Sequence, residues 1–168
     1  TGDSNIGIGG NALYDNVSGV YNVAIGANAL ENSVGNGSVA IGYLAMRNYT
    51  TSGYSFSTAI GYGSTEEYIP GESTPFYRNE ALGDYSVVLG NRNKSTGLKS
   101  FSIGNDNLSQ GTGAFSIGEN NISTGDYSMA LGLFSESVAN ASFAFGNNAY
   151  ADGFNTVAIG TANTIDEN

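Results

Sequence analysis

Ser38-Val39-Ala40-Ile41-Gly42 is a five-residue phrase that returns throughout this 168-residue chain. Copies with small changes stand at 5–9, 22–26, 57–61, 86–90, 100–104, 114–118, 128–132, 142–146 and 156–160. An internal repeat of this kind sets the architecture first, because each unit buries its apolar face only by stacking on its neighbours.

The phrases close on Gly9, Gly26, Gly42, Gly61, Gly90, Gly104, Gly118, Gly132, Gly146 and Gly160. Their numbers step by 17, 16, 19 and 29, and from Gly90 onward by a constant 14. A second small residue divides each unit: Gly19, Gly35, Gly53, Gly83, Gly97, Gly111, Gly125, Ala139 and Gly153. From divider to closing glycine the step is 7 or 8 throughout, whereas the other half runs from 7 to 22. One side is rigid and the other is a corner that accepts insertions, as in repeat architectures. Ala139 in the divider column predicts a turn that is not left-handed there.

Half a unit is too short for a helix and suits one short strand and a turn. Before the closing glycines stand Ile8, Ile25, Ile41, Ile60, Leu89, Ile103, Ile117, Leu131, Phe145 and Ile159, the structural core repeat. Two places earlier come Ile6, Val23, Val39, Thr58, Val87, Phe101, Phe115, Met129, Phe143 and Val157. Between the rows the residue is mostly Ala, Ser or Gly, an alternation with the period of a strand. Asn91, Asn105, Asn107, Asn120, Asn121, Asn147 and Asn148 read as residues that tolerate left-handed turns. These features predict an all-β parallel solenoid, or β-roll, with about 14 residues and two short strands per coil. At about 4.8 Å per coil its ten copies make a rod roughly 50 Å long. Which row faces inward is not fixed by the sequence.

The repeats make one unit, residues 1–168, with a loop insertion at 62–82. No apolar run approaches the roughly 18 residues that a spanning helix needs, so this segment does not insert into a membrane. The N-terminus does not resemble a signal peptide, and the chain opens inside a repeat, so it reads as a fragment. Without cysteine there is no disulfide or thiolate metal site. Five basic and fifteen acidic residues give a net charge of −10, which disfavours nucleic acid and anionic membranes and suits a soluble extended particle.

A 14-residue coil offers about two large apolar side chains from its constant strand, worth roughly 1.5–3 kcal/mol each when buried. Backbone ordering opposes this by roughly 1–2 kcal/mol per residue. A single roll is short of core, and its strand has a second uncharged face. An obligate homo-oligomer follows.

The interruption at 62–82 carries both prolines, Pro70 and Pro75, and seven of the eleven tyrosines fall between 43 and 85. Exposed tyrosines suit sugar or protein contacts. Tyr68, Phe76, Tyr77 and Arg78, with nearby Tyr49 and Tyr54, form the candidate ligand-binding patch. The competing account is a loop that folds over the roll and shields its edge.

Chemistry is excluded more firmly than it is suggested. With no histidine or cysteine, nucleophile–base pairs and most metal constellations are absent, and no enzyme or cofactor is expected. Gly104-Asn105-Asp106-Asn107 has the look of a calcium turn, but the equivalent of Asp106 is Arg92 or Asn120 in adjacent units, so turn-forming asparagine is the better account. Asn-x-Ser/Thr sequences at Asn16, Asn36, Asn48, Asn93 and Asn121 matter only in a eukaryotic secretory host.

Ser-Val-Ala-Ile-Gly on a 14-residue period resembles the YadA-like head repeat of trimeric autotransporter adhesins, over most of residues 4–163. The resemblance implies a left-handed roll, a homotrimer, and attachment at the bacterial cell surface to a host surface protein or glycan. No neck, coiled-coil stalk or anchor barrel stands in this sequence. Asn11-Ala12-Leu13 and Asn28-Ala29-Leu30 are similar to repeats of phage tail fibres, which implies the alternative of a receptor-binding or spacer segment of a virion spike.

Overall fold

The computed structural model describes residues 3–32, 35–47, 56–62, 79–162 and 164–165. Every regular element in them is a strand. The chain runs through β1 (Ile6–Ile8), β2 (Val23–Ile25), β3 (Val39–Ile41) and β4 (Thr58–Tyr62). It then alternates short and long: β5 (Glu80–Ala81), β6 (Val87–Asn91), β7 (Lys94–Ser95), β8 (Phe101–Asn105), β9 (Leu108–Ser109) and β10 (Phe115–Glu119). The series ends with β11 (Ile122–Ser123), β12 (Met129–Leu133), β13 (Glu136–Ser137), β14 (Phe143–Asn147), β15 (Tyr150–Ala151), β16 (Val157–Thr161) and β17 (Thr164–Ile165). Among the described residues the long strands form a ten-stranded sheet and the short ones a seven-stranded sheet. Both sheets are parallel, and Phe101 pairs with Phe115, its counterpart one repeat later.

The repeat column is unbroken. Ile8 pairs with Ile25, Ile41 follows, and the register carries through Ile103 to Ile159. Its direction differs from the expected core role. Ile8, Ile60, Ile117, Phe145 and Ile159 are exposed, and Ile25, Ile41, Leu89, Ile103 and Leu131 are only half-buried. The inward row is the small one: Ala24, Ala40, Ala59, Val88, Ser102, Ser116, Ala130, Ala144 and Ala158. Ala81, Ser95, Ser109, Ser123, Ser137 and Ala151 of the second sheet are buried as well.

The reason is width. Two sheets joined by such short half-coils stand too close for an isoleucine between them. The gap admits methyls and hydroxyls, and the hydroxyls reach across it. Ser95 Oγ donates to Ser102 Oγ at 2.9 Å, and Ser102 Oγ to Ser109 Oγ at 3.0 Å. Ser116 Oγ donates to the Leu108 carbonyl at 2.7 Å. A buried hydroxyl is tolerated only when bonded in this way.

The wide N-terminal coils are built differently on one side. In place of a short strand, Asn28, Leu30 and Asn32 take positive φ (57°, 50° and 58°) and alternate with ordinary residues. Alternate N–H groups then bond within the coil and to its neighbours, as when Leu30 N donates to the Ala45 carbonyl and Asn32 N to the Tyr14 carbonyl. The wider turn makes room for larger side chains, so Leu30 and Met46 are buried in one cluster with Ala24, Ala40 and Ala59. Tyr14 and Asp15 of the longer half-coil are exposed, whereas Asn16 and Arg47 are half-buried.

Both glycine columns answer to close approach. A Cβ on Gly104, at φ +119°, would meet the Gly118 carbonyl carbon at 2.9 Å. The divider glycines Gly83, Gly97, Gly111 and Gly125 keep ordinary φ and are set by contact with the next coil. Ala139 likewise is not left-handed. Residues with φ near +55° do flank every regular long strand, but they are Arg92, Asp106, Asn120, Phe134, Asn148 and Ala162 on one side, only partly the asparagines expected.

Asn79, Asn93, Asn107 and Asn121 are instead fully buried. Each stands one repeat from the next, and the oxygen of one receives the backbone N–H of its successor at 3.0 Å. Ser135 N closes the ladder at 2.9 Å from Asn121 Oδ1. Ion pairs Glu31–Arg47, Glu80–Lys94 and Arg92–Asp106 tie successive coils at the surface. β4 ends at Tyr62 and β5 spans Glu80–Ala81, so strands enter the expected insertion from both sides.

Candidate functional site

Tyr49, Tyr54, Tyr68, Phe76, Tyr77 and Arg78 all lie outside the described residues, and so does most of the 62–82 segment. Two other surfaces are shaped by the coil itself.

The first is the outer face of the ten-stranded sheet. Strand alternation sends both large rows to this face once the small row faces inward. Val87 and Leu89, Phe101 and Ile103, Phe115 and Ile117, Met129 and Leu131, and Phe143 and Phe145 form a double column. Rings meet on it: Phe101 and Phe115 of successive strands stand 5.4 Å apart and tilted, and Phe143 and Phe145 of one strand stand 6.3 Å apart and stacked. With ten strands about 4.8 Å apart the face is roughly 40 Å long. Asn91 and Asn105 border it, joined by an amide hydrogen bond of 3.0 Å. A contiguous apolar strip of this length exceeds what soluble monomers usually expose, and such strips mark interaction surfaces.

The second is the corner that precedes each long strand. Tyr21, Gly37, Phe56, Tyr85, Lys99, Gly113, Tyr127, Ala141 and Asn155 occupy it in successive coils, all with φ between 55° and 65°. The left-handed backbone aims each N–H at the preceding coil: Lys99 N donates to Asp84 O, Gly113 N to Leu98 O and Tyr127 N to Thr112 O. The corner geometry is therefore fixed by the ladder and not by the residue type. The aromatic members are exposed, Tyr21 by 69%, Phe56 by 60%, Tyr85 by 54% and Tyr127 by 72%. The Phe56 and Tyr85 rings lie parallel to within 11°, with centroids 5.7 Å apart.

Sequence reasoning misses this corner because its residue types vary. Only the φ angles group them. It misses the buried asparagine ladder too, although the regular recurrence at 79, 93, 107 and 121 is a signal that could have found it.

Among the described residues no group of three or more acidic, histidine or cysteine side chains could hold a metal ion. Asp106 is engaged by Arg92 and by the Asn105 amide, so its carboxylate serves the inter-coil contact. No helix of the described residues is long and apolar enough to cross a membrane. Residues 81–107, 109–135 and 138–163 match the model of the YadA head domain repeat (2 copies). No curated protein matches the chain.

Proposed function

We propose, from the premise that residues 81–163 are YadA-like head repeats, that this chain is the adhesin head segment of a trimeric surface fibre. In this reading it is a structural attachment module and not an enzyme. Three left-handed rolls pack around a common axis through the outer faces of their ten-stranded sheets. The observation that carries the reading is that large apolar rows face outward while alanine and serine fill the roll.

A roll cored by small side chains gains little from burial, since each methylene contributes only about 0.8 kcal/mol. Covering the outer rows supplies the missing stabilisation, which makes folding and assembly one event. The assembled head holds contact points away from the bacterial cell surface and presents each of them three times. Weak single contacts with a host surface protein or glycan then gain from multivalency.

Light scattering on the purified chain tests the assembly. The expected mass is three chains at micromolar concentration, and a stable folded monomer there overturns the trimer. Beads coated with the protein test attachment: they are expected to adhere to target cells, and beads that stay free remove the adhesin reading.

A second reading has its own observation. The wide coils over 10–46, with Asn-Ala-Leu wording and left-handed alternation, lie outside the matched residues. A receptor-binding or spacer segment of a phage tail fibre accommodates them. The genes around the parent gene separate the two, an anchor barrel marking an adhesin and baseplate genes a virion.

A further inference from the structure

We infer that the corner before the long strands is a binding ridge for an extended, uncharged glycan, with Tyr21, the stacked Phe56–Tyr85 pair and Tyr127 as three separate stacking platforms. The first ground is conformational. A bulky side chain at φ near +60° is disfavoured by about 1–2 kcal/mol, whereas glycine or asparagine fits there at little cost. The buried left-handed residues of the wide coils, Leu30 among them, offset that strain by filling the core. The four corner aromatics do not, because each exposes more than half of its surface. Strain that core packing does not offset points to function.

The second ground is how the rings are seated. A Cβ on Gly37 would lie 2.7 Å from Phe56 Cδ1, and one on Gly113 would lie 2.9 Å from Tyr127 Cδ1. Each ring therefore rests on the bare α-carbon of the preceding coil and is held there. Phe56 does the same for Tyr85, ring on ring.

The third ground is spacing, and it selects the ligand. At about 4.8 Å per coil, Tyr21 stands two coils or about 10 Å from Phe56, which stacks with Tyr85 in the next coil, and Tyr127 stands three coils or about 14 Å beyond Tyr85. Protein interfaces concentrate their aromatics in one dry core. Platforms of one or two rings spaced along a polar edge cannot form one. A chain of pyranose rings can use them, since it offers an apolar face at intervals and hydroxyls between. The amides and hydroxyls beside the ridge, such as Asn140 and Thr112, match those hydroxyls. Asp84 and Asp126, in a chain of net charge −10, select against acidic sugars.

The proposal rests on the attachment reading and names its ligand class. Native affinity electrophoresis through gels containing soluble mixed-linkage β-glucan, xyloglucan or galactomannan tests it, with chondroitin sulfate as the anionic comparison. At least one neutral polysaccharide is expected to retard the chain, and chondroitin sulfate none. Tyr127→Asn and Tyr85→Asn are each expected to weaken retardation about tenfold. Both variants should melt at or above the temperature of the parent, because asparagine relieves the left-handed strain. Equal retardation of parent and variants, or no retardation by any neutral polysaccharide, overturns the ridge. So does dissociation of the oligomer by either variant, which would make the rings contacts between copies. Beads that still adhere to cells while no polysaccharide slows the chain leave attachment standing and remove only the ridge.

Discussion

Asn121 donates both its backbone N–H and its side-chain amide to Oδ1 of Asn107, at 3.0 and 2.9 Å, one coil away. Asn107 Nδ2 in turn reaches the Ile103 carbonyl at 3.0 Å and the Gly118 carbonyl at 2.7 Å. One buried amide thus fastens its own coil to the coils on either side. The roll is held more by such ladders than by an oily centre, because its centre is only methyls and hydroxyls.

Asn107→Leu keeps the number of side-chain heavy atoms but strands the Asn121 N–H and two carbonyls. Each unpaired buried group costs about 1–3 kcal/mol, and partial compensation between them gives a net loss of about 3 kcal/mol. The urea midpoint measures it. Gln110→Leu, at an exposed position, serves as the comparison and should leave the midpoint nearly unchanged.

Asn107→Asp should introduce a pH dependence of known sign. Only a protonated carboxyl can donate to the Ile103 and Gly118 carbonyls, so burial and those acceptors raise its folded pKa above the unfolded value of about 3.9. The folded state then binds more protons than the unfolded one, and stability falls as pH rises from about 4 through the folded pKa. Urea midpoints at pH 3 and pH 7 should differ more for this variant than for the parent.

Gly104→Ala should damage the fold although it adds one methyl. The added Cβ meets the Gly118 carbonyl, and φ +119° is strained for any other residue. A loss of at least about 2 kcal/mol is expected, read as a lower thermal midpoint.

Ile103→Glu and Ser102→Val separate the two faces of one strand. The glutamate is expected to dissociate the oligomer by placing a charge on the outer face, seen as a lower mass in light scattering. The valine overpacks the gap and removes the hydroxyl bonds to Ser109 Oγ and the Lys94 carbonyl, with a loss of about 1–3 kcal/mol in the coil itself.

Deletion of residues 66–78 tests the patch that includes Tyr68, Phe76, Tyr77 and Arg78. Adhesion of coated beads to target cells is expected to drop while the circular dichroism of the roll is retained. Undiminished adhesion by the deleted protein removes the patch and leaves a shielding role for the segment.

The order of the roll was legible because it is a matter of counting. Gly104, Gly118 and Gly132 recur at one fixed interval, so their strands had to pair in parallel with Ile117 between Ile103 and Leu131. The alternation of Phe101, Ser102 and Ile103 marked two faces. The constant half-coil and the variable half-coil marked where the wide turns would fall. The left-handed corner was not legible, because tyrosine, lysine, glycine and alanine share one backbone geometry there. That geometry is imposed by N–H groups reaching the previous coil, and no residue preference announces it.

The sequence by itself determined the stacking, the register and the poverty of the core, since period and alternation are properties of the chain alone. Only the tertiary structure decided which face turns inward. Two sheets closed by such short half-coils leave room for Ser102 and Ala130 but not for Ile103 and Leu131, and that distance between sheets is written in no single repeat.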